Sequence, residues 1–164
     1  FEGCTSLTNA PELPATTLAD ACYRAMFWGC TSLISASELP AITLTYACYC
    51  FMFRDCTSLT CAPGLPATTL AEYCYHYMFI GCTSLTSTPE LSATTLAKNC
   101  YYGMFSGCSK LNSVTMLATD ISATNCLDLW VNGVASTGTF TKASSASLPD
   151  GTSGIPTGWT VVNQ

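Results

Sequence analysis

The chain has 164 residues, enough for one continuous core but not for two ordinary domains. Charged residues make up only 9% and the formal net charge is −5 with five basic residues, which leaves no electrostatic footprint for phosphate and excludes a nucleic-acid binder. Apolar residues reach 49%, but Thr, Ser, Asn or Pro interrupts every apolar stretch, so none of it is expected to insert into a membrane.

In chain order, the first feature is a register. Phe1 aligns with Phe27, Phe53, Phe79 and Phe105 at a period of 26 residues. The chain therefore opens in mid-repeat and reads as a fragment, so its lack of a leader says nothing about compartment. Cys4, Cys30, Cys56, Cys82 and Cys108 form one column, and Cys22, Cys48, Cys74, Cys100 and Cys126 a second. Leu7, Leu13 and Met26 start further columns, and Trp130 takes the methionine place in a degenerate fifth copy.

Within the first unit, Leu7 to Leu13 reads as an extended strand, because Pro11 and Pro14 forbid a helix through it. Thr17 then reads as a helix N-cap with Asp20 as capping-box partner, an arrangement repeated at Thr69 and Glu72. Leu18, Cys22 and Met26 recur at i, i+4 and i+8, the stripe of an amphipathic helix of about three turns. Gly29, Gly81 and Gly107 stand where a C′ glycine would end it.

The string MFxGCTSL, at Met78 to Leu85 and nearly so at Met26 to Leu33, resembles BspA-like bacterial leucine-rich-repeat surface proteins. The resemblance and the period together set the expectation of an α/β repeat fold. It would be a leucine-rich-repeat solenoid over residues 1–130, with one short strand and one helix per repeat. Ala-Pro-x-Leu replaces the family's alternating Leu or Ile, so strand pairing is expected to be short or irregular. Residues 131–164 lose the period, but Phe140, Ile155 and Trp159 suit a β-type cap over the last apolar face.

Twelve cysteines with no C-x-x-C pair read first as small buried hydrophobes. Stacked copies about 5 Å apart would also lie within disulfide reach, so a disulfide ladder stays open, and a metal less so. His76 is the only histidine, and Glu12, Glu38 and Glu90 form a column interrupted by Gly64. Neither has a partner to tune it as acid or base, so no enzyme and no cofactor are expected.

The repeats disagree on the outer helix positions. Equivalent sites read Arg24, Cys50, His76 and Tyr102; Ala25, Phe51, Tyr77 and Gly103; and Trp28, Arg54, Ile80 and Ser106. Drift on a solvated helix should collect Lys, Glu and Gln, whereas aromatics and Arg on a rigid scaffold have the composition of a recognition surface. Trp28, Arg24, Phe51, Arg54, Tyr73, His76, Tyr77 and Tyr102 are the candidate binding residues, with packing between repeats as the competing explanation. With the resemblance, this implies a non-catalytic cell-surface or secreted adhesion module recognising a host or microbial surface protein or glycan. The alternatives are a structural spacer and a phage receptor-binding protein built on the same repeats.

Overall fold

A computed structural model describes residues 1–164. Four short strands form one parallel sheet in sequential order: β1 (Ser87–Leu91), β2 (Ser113–Met116), β3 (Thr139–Lys142) and β4 (Thr160–Asn163). Parallel neighbours one unit apart mean that each repeat makes one coil of chain, laid on the coil before. On the same side the earlier coils form no strand, only the isolated parallel bridge of Asn9 with Ser35 and single hydrogen bonds such as Ile34 N–H to the Thr8 carbonyl; a second column of bridges, Thr43 with Thr69 and Thr95 with Asp120, lies further along each coil. Proline explains the sparse pairing. Pro63 and Pro66 remove two N–H donors from the third coil, and β1 carries Pro89 with a register shift between Ser87 and Glu90. In contrast, β2 (SVTM) has no proline and pairs with β3 in unbroken register.

The expected helices are absent, and the α/β leucine-rich-repeat solenoid with a helix per repeat is thereby overturned. Residues 20–29, 46–55, 72–81, 98–107 and 124–133 run instead as successive tight turns. Their N–H groups alternate in destination. Those of Tyr23, Ala25, Phe27 and Gly29 donate to the next coil, to the carbonyls of Cys48, Cys50, Met52 and Arg54, at 2.8–2.9 Å. Those of Arg24, Met26 and Trp28 donate three residues back, to Ala21, Tyr23 and Ala25, at 3.1–3.3 Å. Every fourth residue is left-handed: Ala47, Phe51 and Asp55 have φ of 51°, 58° and 58°, and Gly81 and Gly107 end later series at 75° and 74°. A right-handed helix admits none of these.

Spacing supplies the physical reason. Phe27, Phe53, Phe79 and Phe105 stack with centroids 5.4–5.5 Å apart, so coils rise by about a strand spacing on the turn side as well. Packed helices need about 8–10 Å between axes. Turns that send half their N–H groups sideways fit the narrower step.

The four-residue turn period also directs the side chains, two inward and two outward. In the second coil Cys48, Tyr49, Met52, Phe53 and Cys56 point inward and are buried, while Phe51, Arg54 and Asp55 are half-buried on the outer side, where Ala47 and Cys50 are covered by their neighbours. The spacing i, i+4, i+8 therefore belongs to this period and not to a helix stripe. The capping box is reassigned for the same reason. Asp20 accepts from the Tyr46 N–H of the next coil at 3.1 Å, and Glu72 pairs with Lys98 one coil on at 2.8 Å.

All twelve cysteines are free thiols. Cys30, Cys56, Cys82 and Cys108 each donate an S–H to the carbonyl of Phe1, Phe27, Phe53 or Phe79 at 3.0–3.1 Å. The column thus fills space and also satisfies a carbonyl of the preceding coil. At the far end Trp130 is fully buried and donates to the Gly154 carbonyl at 2.9 Å, while Phe140 packs edge-on against it at 6.0 Å. Residues 151–155 there take the place that a further coil would occupy, with Ser153 Oγ accepting from the Leu129 N–H.

The turns make a prediction that separates them from a helix. Ala25 sits at φ 55°, where a Cβ costs about 1–2 kcal/mol. Ala25→Gly should therefore leave the melting temperature unchanged or raise it. In a helix the same change costs about 1 kcal/mol, so a clear drop would restore the helical reading.

Candidate functional site

The outward pairs of successive coils place all eight candidate residues on one side of the stack. Arg24 is exposed and the other seven are half-buried. One coil apart in sequence becomes one ring apart in space. Trp28 stacks near Phe51 at 6.1 Å, and Phe51 lies nearly parallel to Tyr77 at 5.5 Å. The Arg54 guanidinium covers the Trp28 ring at 4.5 Å and reaches Phe51 at 5.6 Å. Asp55 holds this end together, accepting from both Trp28 Nε1 and Arg54 Nε at 3.2 Å.

His76 is the hub of the second half. Its ring meets Tyr77 at 4.5 Å, Tyr73 and Tyr102 at 5.1 Å, and Phe51 at 5.5 Å. Burial first, and then the Arg24 charge, lower its pKa to about 4, so the imidazole is neutral near pH 7. The Tyr77 phenol is pushed up by burial and by its hydrogen bond to Tyr102. Tyr77 lies across Gly103, where a Cβ would run into its ring and the backbone is left-handed at φ 57°.

Seven of the eight residues thus form one continuous ribbon and not scattered side chains. Arg24 alone stands apart from the ring contacts, at the rim of an open depression of about 210 Å³ shared with Tyr46, Ala47, Cys50, Phe51, Tyr73 and His76. Outside the eight candidates, Tyr46 joins from another variable outer position and meets Tyr73 edge-on at 5.8 Å, while Asp55 was passed over. Asp55 did leave a signal: it replaces the column glycine found at 29, 81 and 107, beside the one arginine of that coil. The Glu column is different in kind. Glu12 and Glu38 are exposed on the opposite run of chain, and the Glu38 carboxylate occupies the space left by Gly64.

No family model matches this chain, and no curated protein or solved structure matches it significantly. No helix is long and apolar enough to cross a membrane.

Proposed function

We propose that this chain is a non-catalytic binding module acting at a cell surface, with the ribbon from Trp28 to Tyr102 as its contact surface. The observation that carries the reading is continuity: Trp28, Arg54, Phe51, Tyr77, His76 and Tyr102 touch in sequence across four coils. Flat aromatics and Arg offer contact area at low entropy cost, and binding energy concentrates in such anchors. A protein partner suits the ribbon better than a glycan. Phe51 has rings on both faces, Trp28 on one side and Tyr77 on the other, so it presents edges where a sugar ring would need a face. The cell-surface placement rests on the MFxGCTSL resemblance alone.

The same stacking favours a second reading, a stiff spacer whose outer rings serve only coil-to-coil adhesion. One triple variant separates the two: Trp28→Ser, Phe51→Ser and Tyr77→Ser together. Loss of binding to whole host cells or mucin by about 30-fold or more, with a folded and only modestly less stable protein, supports recognition. Stacked pairs contribute about 0.5–1.5 kcal/mol each, so a small drop in melting temperature is expected either way. Unfolding of the variant, or undiminished binding, favours the spacer.

A further inference from the structure

Two cysteines lie outside the columns, Cys50 and Cys61, so neither is demanded by the repeat. Cys50 occupies the variable outer position that holds Arg24, His76 and Tyr102 in the other coils, and there it is covered by its neighbours to 5% exposure. Stacking therefore sets it directly beside His76, with Cys50 Sγ 3.8 Å from His76 Nδ1. Both donors line the open depression of about 210 Å³ described above. A Cys and a His 26 residues apart match no short ligand motif, and only the rise of the stack makes them neighbours.

We propose that Cys50 and His76 form a two-coordinate site for a soft monovalent metal ion, Cu(I) or Ag(I). Thiolate and imidazole are donors that such ions accept. Bonds of roughly the zinc lengths, about 2.3 Å to sulfur and about 2.0 Å to nitrogen, put donors on opposite sides of an ion about 4.3 Å apart, about half an ångström wider than the present gap. Zinc fits poorly, because it takes four ligands and no third His, Cys, Asp or Glu gathers here.

The charge balance is also favourable. Binding replaces the Cys50 proton with the ion, releases that proton to solvent, and leaves sulfur and metal oxidation states unchanged. The product is neutral, which suits a site walled by Phe51 and Tyr73 with Arg24 alongside. The ring contacts of His76 with Tyr73, Tyr77 and Tyr102 hold the imidazole in place before the ion arrives. The site does not depend on the ribbon being a recognition surface.

The test starts from a background with Cys4, Cys22 and Cys61, the exposed thiols, changed to Ser. Cu(I) is titrated anaerobically against a coloured Cu(I) chelator, with Zn(II) in parallel. The expected result is about one tight equivalent of Cu(I), no matching Zn(II) binding, and an X-ray absorption spectrum with one sulfur and one nitrogen neighbour. Cys50→Ser should abolish binding and His76→Gln weaken it by at least about 10-fold, with near-ultraviolet dichroism checking the fold of each. Retained binding in Cys50→Ser, unchanged affinity in His76→Gln, or a sulfur-only spectrum overturns the proposal. The spectrum is recorded on the background protein, so it decides the matter even where a ligand variant misfolds.

Discussion

Raised from neutral to about pH 10, the protein is expected to unfold cooperatively. Cys56, Cys74, Cys82, Cys100 and Cys108 are each 0% exposed. Burial pushes Cys56, Cys100 and Cys108 up to about 12, and Cys74 and Cys82 well above the ordinary thiol range. Below the unfolded thiol value, about 8.5–9, both states keep their protons and these groups impose no pH dependence. Above it the unfolded chain ionises while the folded core cannot. The unfolded state then binds fewer protons, and stability falls as pH rises until the folded values are reached. One pH unit above the unfolded value costs about 1.4 kcal/mol per thiol, on the order of 7 kcal/mol for the five, comparable to a whole domain's stability. Tyr75 and Tyr101, also raised by burial, add to the loss at higher pH. Near-ultraviolet dichroism and tryptophan fluorescence, followed anaerobically and reversed by neutralisation, would record the transition. A native signal that persists beyond about pH 11 would show that these thiols are not sealed in the core.

The second large effect is expected from Phe79→Ala. Phe79 is fully buried between Phe53 and Phe105, nearly parallel to both at 5.5 Å. Removing the ring leaves a cavity worth about 3–5 kcal/mol and breaks two stacks worth about 0.5–1.5 kcal/mol each. Neighbouring coils cannot close the gap, because their rise is fixed by hydrogen bonds on both flanks, such as Phe53 N–H to the Met78 carbonyl at 2.9 Å. Phe1→Ala is the control. Phe1 is 53% exposed and touches only one ring of the column, Phe27 at 5.5 Å, so the loss should stay below about 1 kcal/mol. Urea midpoints at constant slope would compare them, and similar small losses would mean that the phenylalanine column does not carry the stack.

The register was legible in the sequence, because identical side chains at a fixed period must meet when coils stack. The ring columns Phe27–Phe53–Phe79–Phe105 and Tyr23–Tyr49–Tyr75 follow it. The conformation between columns was not legible. Buried pairs at i, i+1, i+4 and i+5, as in Cys48-Tyr49 and Met52-Phe53, cover the same arc on an α-helix as on a run of four-residue turns. A contrary signal was present in Asn99, Gly103 and Gly107, which tolerate left-handed backbone and fall every fourth residue. A helix accounts only for the last. The ribbon was legible as a set of residues, because variable outward sites stand out against unvarying columns. Its joints at Tyr46 and Gly103 were not, since they depend on which ring leans on which coil, and Asp55 showed only as a break in the glycine column.

The alternating destinations of the turn N–H groups also govern how such a chain can change in length. Loss of one residue from 46–55 would swing an inward pair such as Met52 and Phe53 outward and send every second N–H the wrong way. Removal of 26 residues, joining Met52 directly to Phe79, would leave every column continuous and only shorten the stack. Recombination between repeats in the gene is therefore tolerated in whole coils and penalised in fractions of one. Each coil added or lost changes the outward ribbon by a discrete step, so the length of the stack and its outer side chains can vary without altering the packing rule.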